Sequence, residues 1–300
     1  MRLPGSLLFV ATLLVAGVRG DCDEDNLAYS TNDVERQKYN AGRTIRLGWV
    51  TFEGYAPLDL WGPLQILTGV CSSVIDESEL QMKLTESQVS AKYNMTLSIV
   101  SDKKGPVSNR NAPHKDKDGH MMDMGRTLVS HMVATHTPAD APEFDLLMIP
   151  GGLGNRGNST DWIVDFVKKR FNSTDYVASV CTGALPLAKA GVLDGKRATT
   201  NKWAWKDVVV HGKNVDWVPN ARWTHDGKIW TSSGVAAGMD MTYALLSWMY
   251  GSKEVNSTMN VIELSPHTNA DWDPYAVVHN VPGADKTRSL QDLVGPAGYA

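Results

Sequence analysis

Apolar and polar positions alternate along this chain in long blocks, and the blocks predict its elements. Ile45 to Phe52 is apolar on both faces, as in a buried parallel strand. Met95 to Val100 reads as the second strand, Phe144 to Ile149 as the third long apolar strand, and Tyr176 to Val180 as a short apolar strand. Helical spacing predicts helices over Asp59–Thr68, with Pro63 in the first turn, and over Asp161–Phe171, with Trp162, Ile163, Phe166 and Val167 on one face. Ala184–Ala190, Trp203–Val210 and Val235–Tyr250 complete the helical set. Arg197–Thr200 reads as a strand. Ala221–Thr224 and Ile229–Ser232 read as a hairpin across Asp226-Gly227, a strong turn signal. Thr127–Val133 reads as a short strand pair or arm. Strands alternating with helices in this order predict an α/β fold with a mostly parallel central sheet and helices on both faces.

The flanks differ. Residues 21–44 are polar and charged and read as an extended N-terminal arm. Residues 264–300 carry Pro and Gly with little periodicity and form a C-terminal tail. Residues 1–20 have the make-up of a secretory signal peptide: Arg2, an apolar run from Leu7 to Val15, and small residues Val18 and Gly20 before Asp21. That run is too short to span a bilayer. A secreted protein with no membrane segment after signal removal is therefore expected.

Secretion changes the meaning of the cysteines. An odd set, Cys22, Cys71 and Cys181, leaves one free thiol. Pairing Cys22 with Cys71 is the simplest arrangement and leaves Cys181 free. Asn94, Asn158, Asn172 and Asn256 each begin an Asn-x-Ser/Thr triplet and are candidate glycan sites. Net charge is −4 and no basic stripe occurs, which excludes nucleic acid as a partner class.

Chemistry concentrates at the end of the fourth strand. Cys181 follows Val180 and precedes Thr182-Gly183 and a helix. A cysteine at a strand-to-helix turn projects from the carboxyl edge of the sheet, where ligands bind in open α/β folds. The helix N-terminus favours the thiolate, the reactive form. A buried packing cysteine is the structural alternative. Pro150-Gly151-Gly152-Leu153-Gly154 closes the third strand, and its N–H groups suit oxyanion donation better than a phosphate cradle. Asp59 reads either as a helix N-cap or as an acid facing Cys181. His114 and His120 fit no zinc template, and His211, His225 and His267 lie on separate elements. No metal or organic cofactor is called for.

Four segments in order, Gly48–Pro63, Phe144–Gly154, Ser179–Thr200 and Ile229–Asp240, resemble the ThiJ/PfpI group of the class I glutamine amidotransferase-like superfamily. The nearest look is to its isonitrile hydratase-like branch, over residues 45–250 within a domain expected to span 45–263. The resemblance implies a flavodoxin-like three-layer sandwich and a homodimer. It makes Cys181 the nucleophile and Asp59, in Leu58-Asp59-Leu60-Trp61-Gly62-Pro63, the acid facing it. Thr182 joins the pocket where peptidases of the group carry His. Asn201 occupies the place of a branch histidine and Lys202 is one residue extra before Trp203. Trp61, Asn201 and Trp203 are candidate pocket walls.

The expected activity is hydration of a small electrophilic carbon, with an isonitrile as substrate and an N-substituted formamide as product. Cys181 attacks, and Asp59 supplies a proton that the like charges of the pair cause it to hold. Glyoxalase- or deglycase-like action on 2-oxoaldehydes is the enzymatic alternative. A secreted binding or redox-sensing module is the non-enzymatic one.

Overall fold

The computed structural model describes residues 27–71, 93–110, 128–156, 158–288 and 290, and the backbone of 114–115 and 121–122. The signal-peptide segment, Cys22 and His120 lie outside the described residues.

Six strands form the central sheet. They are β1 (Ile45–Val50), β2 (Met95–Val100), β7 (Leu146–Ile149), β8 (Tyr176–Val180), β11 (Trp223–Asp226) and β12 (Ile229–Ser232), in the order β11-β12-β8-β7-β1-β2. Every neighbouring pair is parallel except β11–β12, the hairpin expected at Asp226-Gly227. Every residue of β7 and β8 is buried, and so are five of the six in β1, which explains their unbroken apolar runs. The remaining strands are short side pairs: β3 (Gly105–Ser108) with β6 (His131–Ala134), β4 (His114–Lys115) with β5 (Met121–Met122), and β9 (Arg197–Ala198) with β10 (Asp216–Trp217).

The sheet is the middle of three layers. On one side α1 (Asp33–Ala41), α2 (Pro57–Val70), α6 (Val235–Tyr250) and α7 (Ser252–Val261) pack against one another. On the other side lie α3 (Asp161–Arg170), α4 (Ala184–Lys189) and α5 (Trp205–Val209). This is the expected α/β sandwich with a mostly parallel sheet.

Two expectations are corrected. The N-terminal arm is not extended throughout. Asn32 caps α1 by accepting from Val34 N and Glu35 N at 3.1 and 3.4 Å. The helix docks by polar groups: Arg36 lies over the Trp248 ring and donates to Trp248 O, and Asn40 bonds Tyr176 Oη. Second, α2 begins two residues earlier than expected, with Pro57 in its first turn. Pro63 therefore sits inside the helix, where its missing N–H leaves the Asp59 carbonyl without its usual donor. The tail folds back over the domain as far as it is described. Asp273, Ala276 and Val281 are buried, the last two against Trp205, and α8 (Tyr275–Val278) is one short turn.

Candidate active site

Cys181 stands where β8 ends. Its backbone has φ of 60°, a left-handed conformation that costs an ordinary residue about 1–2 kcal/mol. The turn is tight because Gly183 presses on the end of β7, where a Cβ would lie 2.2 Å from Ile149 O. Thr200 Oγ1 donates to the Cys181 carbonyl at 2.9 Å and fixes the turn from the far side. The strain is thus held by packing on both flanks, as at a nucleophile elbow.

Asp59 approaches from the first turn of α2. Ala56 holds the N-cap position, so Asp59 is not the cap. Its side chain is 1% exposed and accepts from the Gly151 N–H at 2.9 Å, leaving Oδ1 without a partner. Burial lifts its pKa to about 7, against the pull of the Gly151 N–H and of a hydrogen bond with Cys181. Cys181 is pushed well above the ordinary thiol range, first by burial and then by the negative charge of Asp59. The Thr182 N–H and the Asn201 side chain bond the sulfur and oppose that rise. The expected low thiol pKa is therefore corrected: a buried pair resists a second negative charge more than the short turn ahead of α4 favours one.

The Pro-Gly-Gly turn also has a different role from the one expected. Gly151 N–H is engaged by Asp59, Gly152 N–H donates to Thr182 Oγ1 at 3.0 Å, and Gly154 N–H donates to Gly54 O at 3.2 Å. Gly151 and Gly152 hold the acid and Thr182 in place and offer no free oxyanion donor. Thr182 is locked further by Asn155 Nδ2, which donates to its carbonyl at 2.8 Å. Nothing in the sequence singled out Asn155. It lies one helical turn past the glycines and is buried.

A cavity of about 270 Å³ opens over the sulfur. Cys181, Thr182, Gly152, Asn201 and Trp203 line it, together with Tyr55 and Arg156, which the sequence did not flag. Arg156 lies against the Trp203 ring, 4.7 Å from its centroid. Trp61 is not among the walls and is 45% exposed, so its pocket role is corrected. Among the described residues no histidine lines this cavity. His225 is stacked on Trp230, and His267 is exposed beside Asp240. Of the triplet asparagines, Asn94, Asn172 and Asn256 are exposed, and the Asn158 side chain is outside the described set. Cys71 ends α2, and its expected partner Cys22 is not described.

A model of the DJ-1/PfpI family matches residues 81–247. The chain belongs to the DJ-1/PfpI family. Among curated relatives, an isonitrile hydratase from Pseudomonas putida is 34% identical over 151 residues, covering 48% of this chain and 64% of that protein. A deglycase from Pyrococcus abyssi is 38% identical over 108 residues, covering 36% of this chain and 59% of that protein. The chain thus spans less than two thirds of either relative. Among solved structures, a ThiJ/PfpI family protein from Pseudomonas syringae aligns with a TM-score of 0.54 at 18% identity, covering 85% of this chain and 84% of that one. Drosophila melanogaster DJ-1beta aligns with a TM-score of 0.51 at 14% identity, covering 74% and 100%. These likenesses establish the DJ-1/PfpI fold.

Proposed function

We propose that this DJ-1/PfpI protein hydrates a small isonitrile to an N-substituted formamide, with Cys181 as nucleophile and Asp59 as proton carrier. The observation that carries the reading is the occupied Pro-Gly-Gly turn. Attack on a carbonyl builds negative charge on oxygen and needs free donors aimed at it. Here the N–H groups of Gly151, Gly152 and Gly154 are spent on Asp59, Thr182 and Gly54. Addition of a thiol across an isonitrile carbon makes no oxyanion in its first step. It needs one proton brought to that carbon, and Asp59 is placed to bring it.

The steps follow from one proton shared by the pair. The thiol proton passes to the Asp59 carboxylate as sulfur attacks the terminal carbon. Asp59 delivers that proton to the same carbon, giving the thioimidate R–N=CH–S–Cys181. Water then adds to this carbon. Asp59 takes a proton from the water and passes it to the nitrogen, giving R–NH–CH(OH)–S–Cys181. Collapse expels the thiol with the hydroxyl proton and leaves R–NH–CHO. Asp59 acts as base and acid in turn, which suits a carboxyl titrating near 7.

A deglycase-like reading is kept because a deglycase is among the relatives. Assaying the purified protein with pentyl isonitrile and with methylglyoxal separates the two. Formamide release that Cys181→Ser and Asp59→Asn each abolish is expected. Turnover of methylglyoxal alone would replace the isonitrile reading. The proposed setting is outside the cell and the proposed assembly a homodimer. N-terminal sequencing of the exported chain, with a start at Asp21, and sedimentation at twice the monomer mass test these two points.

A further inference from the structure

A second cavity, of about 330 Å³, lies beside the first and shares Asn201 and Trp203 with it. Its floor is the start of α6. The first hydrogen bond of that helix runs from Gly238 N to Gly234 O, and no side chain caps its earlier N–H groups. Residues 234–237, which carry those groups, line the cavity. A Cβ built on Gly234 would meet nothing within 4 Å.

Arg222 supplies an independent feature in the same wall. It is 7% exposed, and its Nε donates to Asp240 Oδ2 at 2.6 Å. Asp240 is held in turn by His267 N, which donates to Oδ1 at 2.9 Å. Both Nη groups of Arg222 make no hydrogen bond among the described residues, and neither is sealed from the cavity. A guanidinium anchored through Nε presents a two-pronged donor whose geometry matches a carboxylate. The other ionised groups in the wall include Lys202 and Asp273, and Asp273 Oδ2 has no hydrogen-bond partner among the described residues. Lys202 Nζ donates to Thr199 Oγ1 at 2.6 Å and to Ala221 O at 2.8 Å, and lies 3.9 Å from Asp273 Oδ2. Asp273, Tyr275 and His279 come from the tail, beyond the residues matched by the family model.

We propose that this second cavity holds a carboxylate, on the fork of Arg222 and the open N–H groups of α6. Asn201 and Trp203 line both cavities, and in this proposal the carboxylate is the far end of the molecule whose reactive carbon Cys181 attacks. The inference rests on the reading of Cys181 as nucleophile and narrows its substrate class to a small electrophile with a carboxylate tail.

Isothermal titration of the Cys181→Ser protein with pentanoate and with pentanamide, near-isosteric but differently charged, tests the site without turnover. Pentanoate should bind at least about tenfold more tightly, the worth of one hydrogen bond to a charged group. Arg222→Gln should erase that preference. Arg222→Gln leaves Asp240 unpaired and threatens folding, so Gly234→Val serves beside it. Its backbone, at φ of −135°, accepts a side chain without strain, and the added methyls fill the carboxylate position. Equal binding of the two ligands, or a preference that survives Gly234→Val, overturns the proposal. Turnover separates this from the parent reading. Wild-type protein should process 5-isocyanopentanoate with kcat/KM about tenfold above pentyl isonitrile. Hydration of both at equal kcat/KM, with no pentanoate preference, sinks the carboxylate site alone. A pentanoate preference with no hydration of either sinks the chemistry alone.

Discussion

The Gly151 N–H donates to Asp59 Oδ2 at 2.9 Å, and this one bond couples the third strand's turn to the acid of the site. A side chain at 151 cannot be accommodated. Its Cβ would lie 2.7 Å from Asp59 Oδ2 and 2.6 Å from Thr182 N. Gly151→Ala should cost about 1–3 kcal/mol in urea unfolding, as overpacking does. It should also displace the donor that lowers the Asp59 pKa, so the acid limb of Cys181 alkylation should move above pH 7. A variant of wild-type stability and unchanged pH profile would refute the coupling.

In the proposed reaction the reactive form is the Cys181–Asp59 pair holding one proton. Asp59 titrates at about 7 and the thiol well above its ordinary value, so the singly protonated pair dominates above pH 7. Both kcat/KM for an isonitrile and the iodoacetamide rate should therefore rise through about pH 7 and stay level above it. Asp59→Asn should remove that limb and lower turnover by about 10²- to 10⁴-fold, the usual contribution of a positioned acid–base group. A limb near pH 4, where an exposed carboxyl titrates, would show that Asp59 is not buried in solution.

Burial of Asp59 has a stability signature of its own. The folded protein keeps this proton up to about pH 7, whereas the unfolded chain loses it near 3.8. Stability from this group is thus fully present below pH 4 and falls as pH rises to 7, by roughly 4 kcal/mol in all. Asp59→Asn keeps an acceptor for Gly151 and has no proton to lose. The Tm of the variant minus that of wild type should be more positive at pH 8 than at pH 5. A difference that does not change with pH would contradict the raised pKa.

Much of this arrangement was legible in the sequence, for a physical reason. Buried parallel strands must be apolar on both faces, so β1, β7 and β8 announce themselves, and Cys181-Thr182-Gly183 at the end of one marks an elbow. The α1 helix was hidden because Arg36 and Asn40 do the docking that apolar residues do elsewhere. Its one signal was Asn32 followed three residues later by Glu35, a capping pattern. Trp61 misled because a residue two positions past Asp59 lies about 200° round the helix, so its aromatic ring points outward from α2 rather than toward Cys181. The direction of the Cys181 shift depends on how deeply both partners sink. The Lys202–Asp273 pairing joins residues far apart in the chain, and no local pattern encodes it.

The left-handed backbone at Cys181 gives a test independent of reactivity. At φ of 60° a Cβ is unfavourable and glycine is not. Cys181→Gly and Cys181→Ala both remove the sulfur, but only the first relieves the strain. The glycine variant should be the more stable by about 1 kcal/mol in urea, the reverse of the usual order for these residues. An alanine variant of equal or greater stability would mean the elbow is relaxed.

The buried pair of Lys202 and Asp273 ties the tail to the domain, and its pH dependence reveals which partner carries the charge. Burial lowers the Lys202 pKa to about 7, and Asp273 works against that fall. Below pH 7 the lysine is a buried cation that Asp273 neutralises. Asp273→Asn removes the counter-ion, and breaking a buried pair in this way costs about 3–5 kcal/mol. Above pH 7 the wild-type lysine gives up its proton, and the remaining acid is then the uncompensated buried group. The destabilisation by Asp273→Asn should therefore be large at pH 6 and shrink steadily towards pH 9, as read by urea unfolding at fixed ionic strength. A loss that stays the same from pH 6 to pH 9 would mean that Lys202 stays charged throughout, and that its hydrogen bonds to Thr199 and Ala221 outweigh its burial.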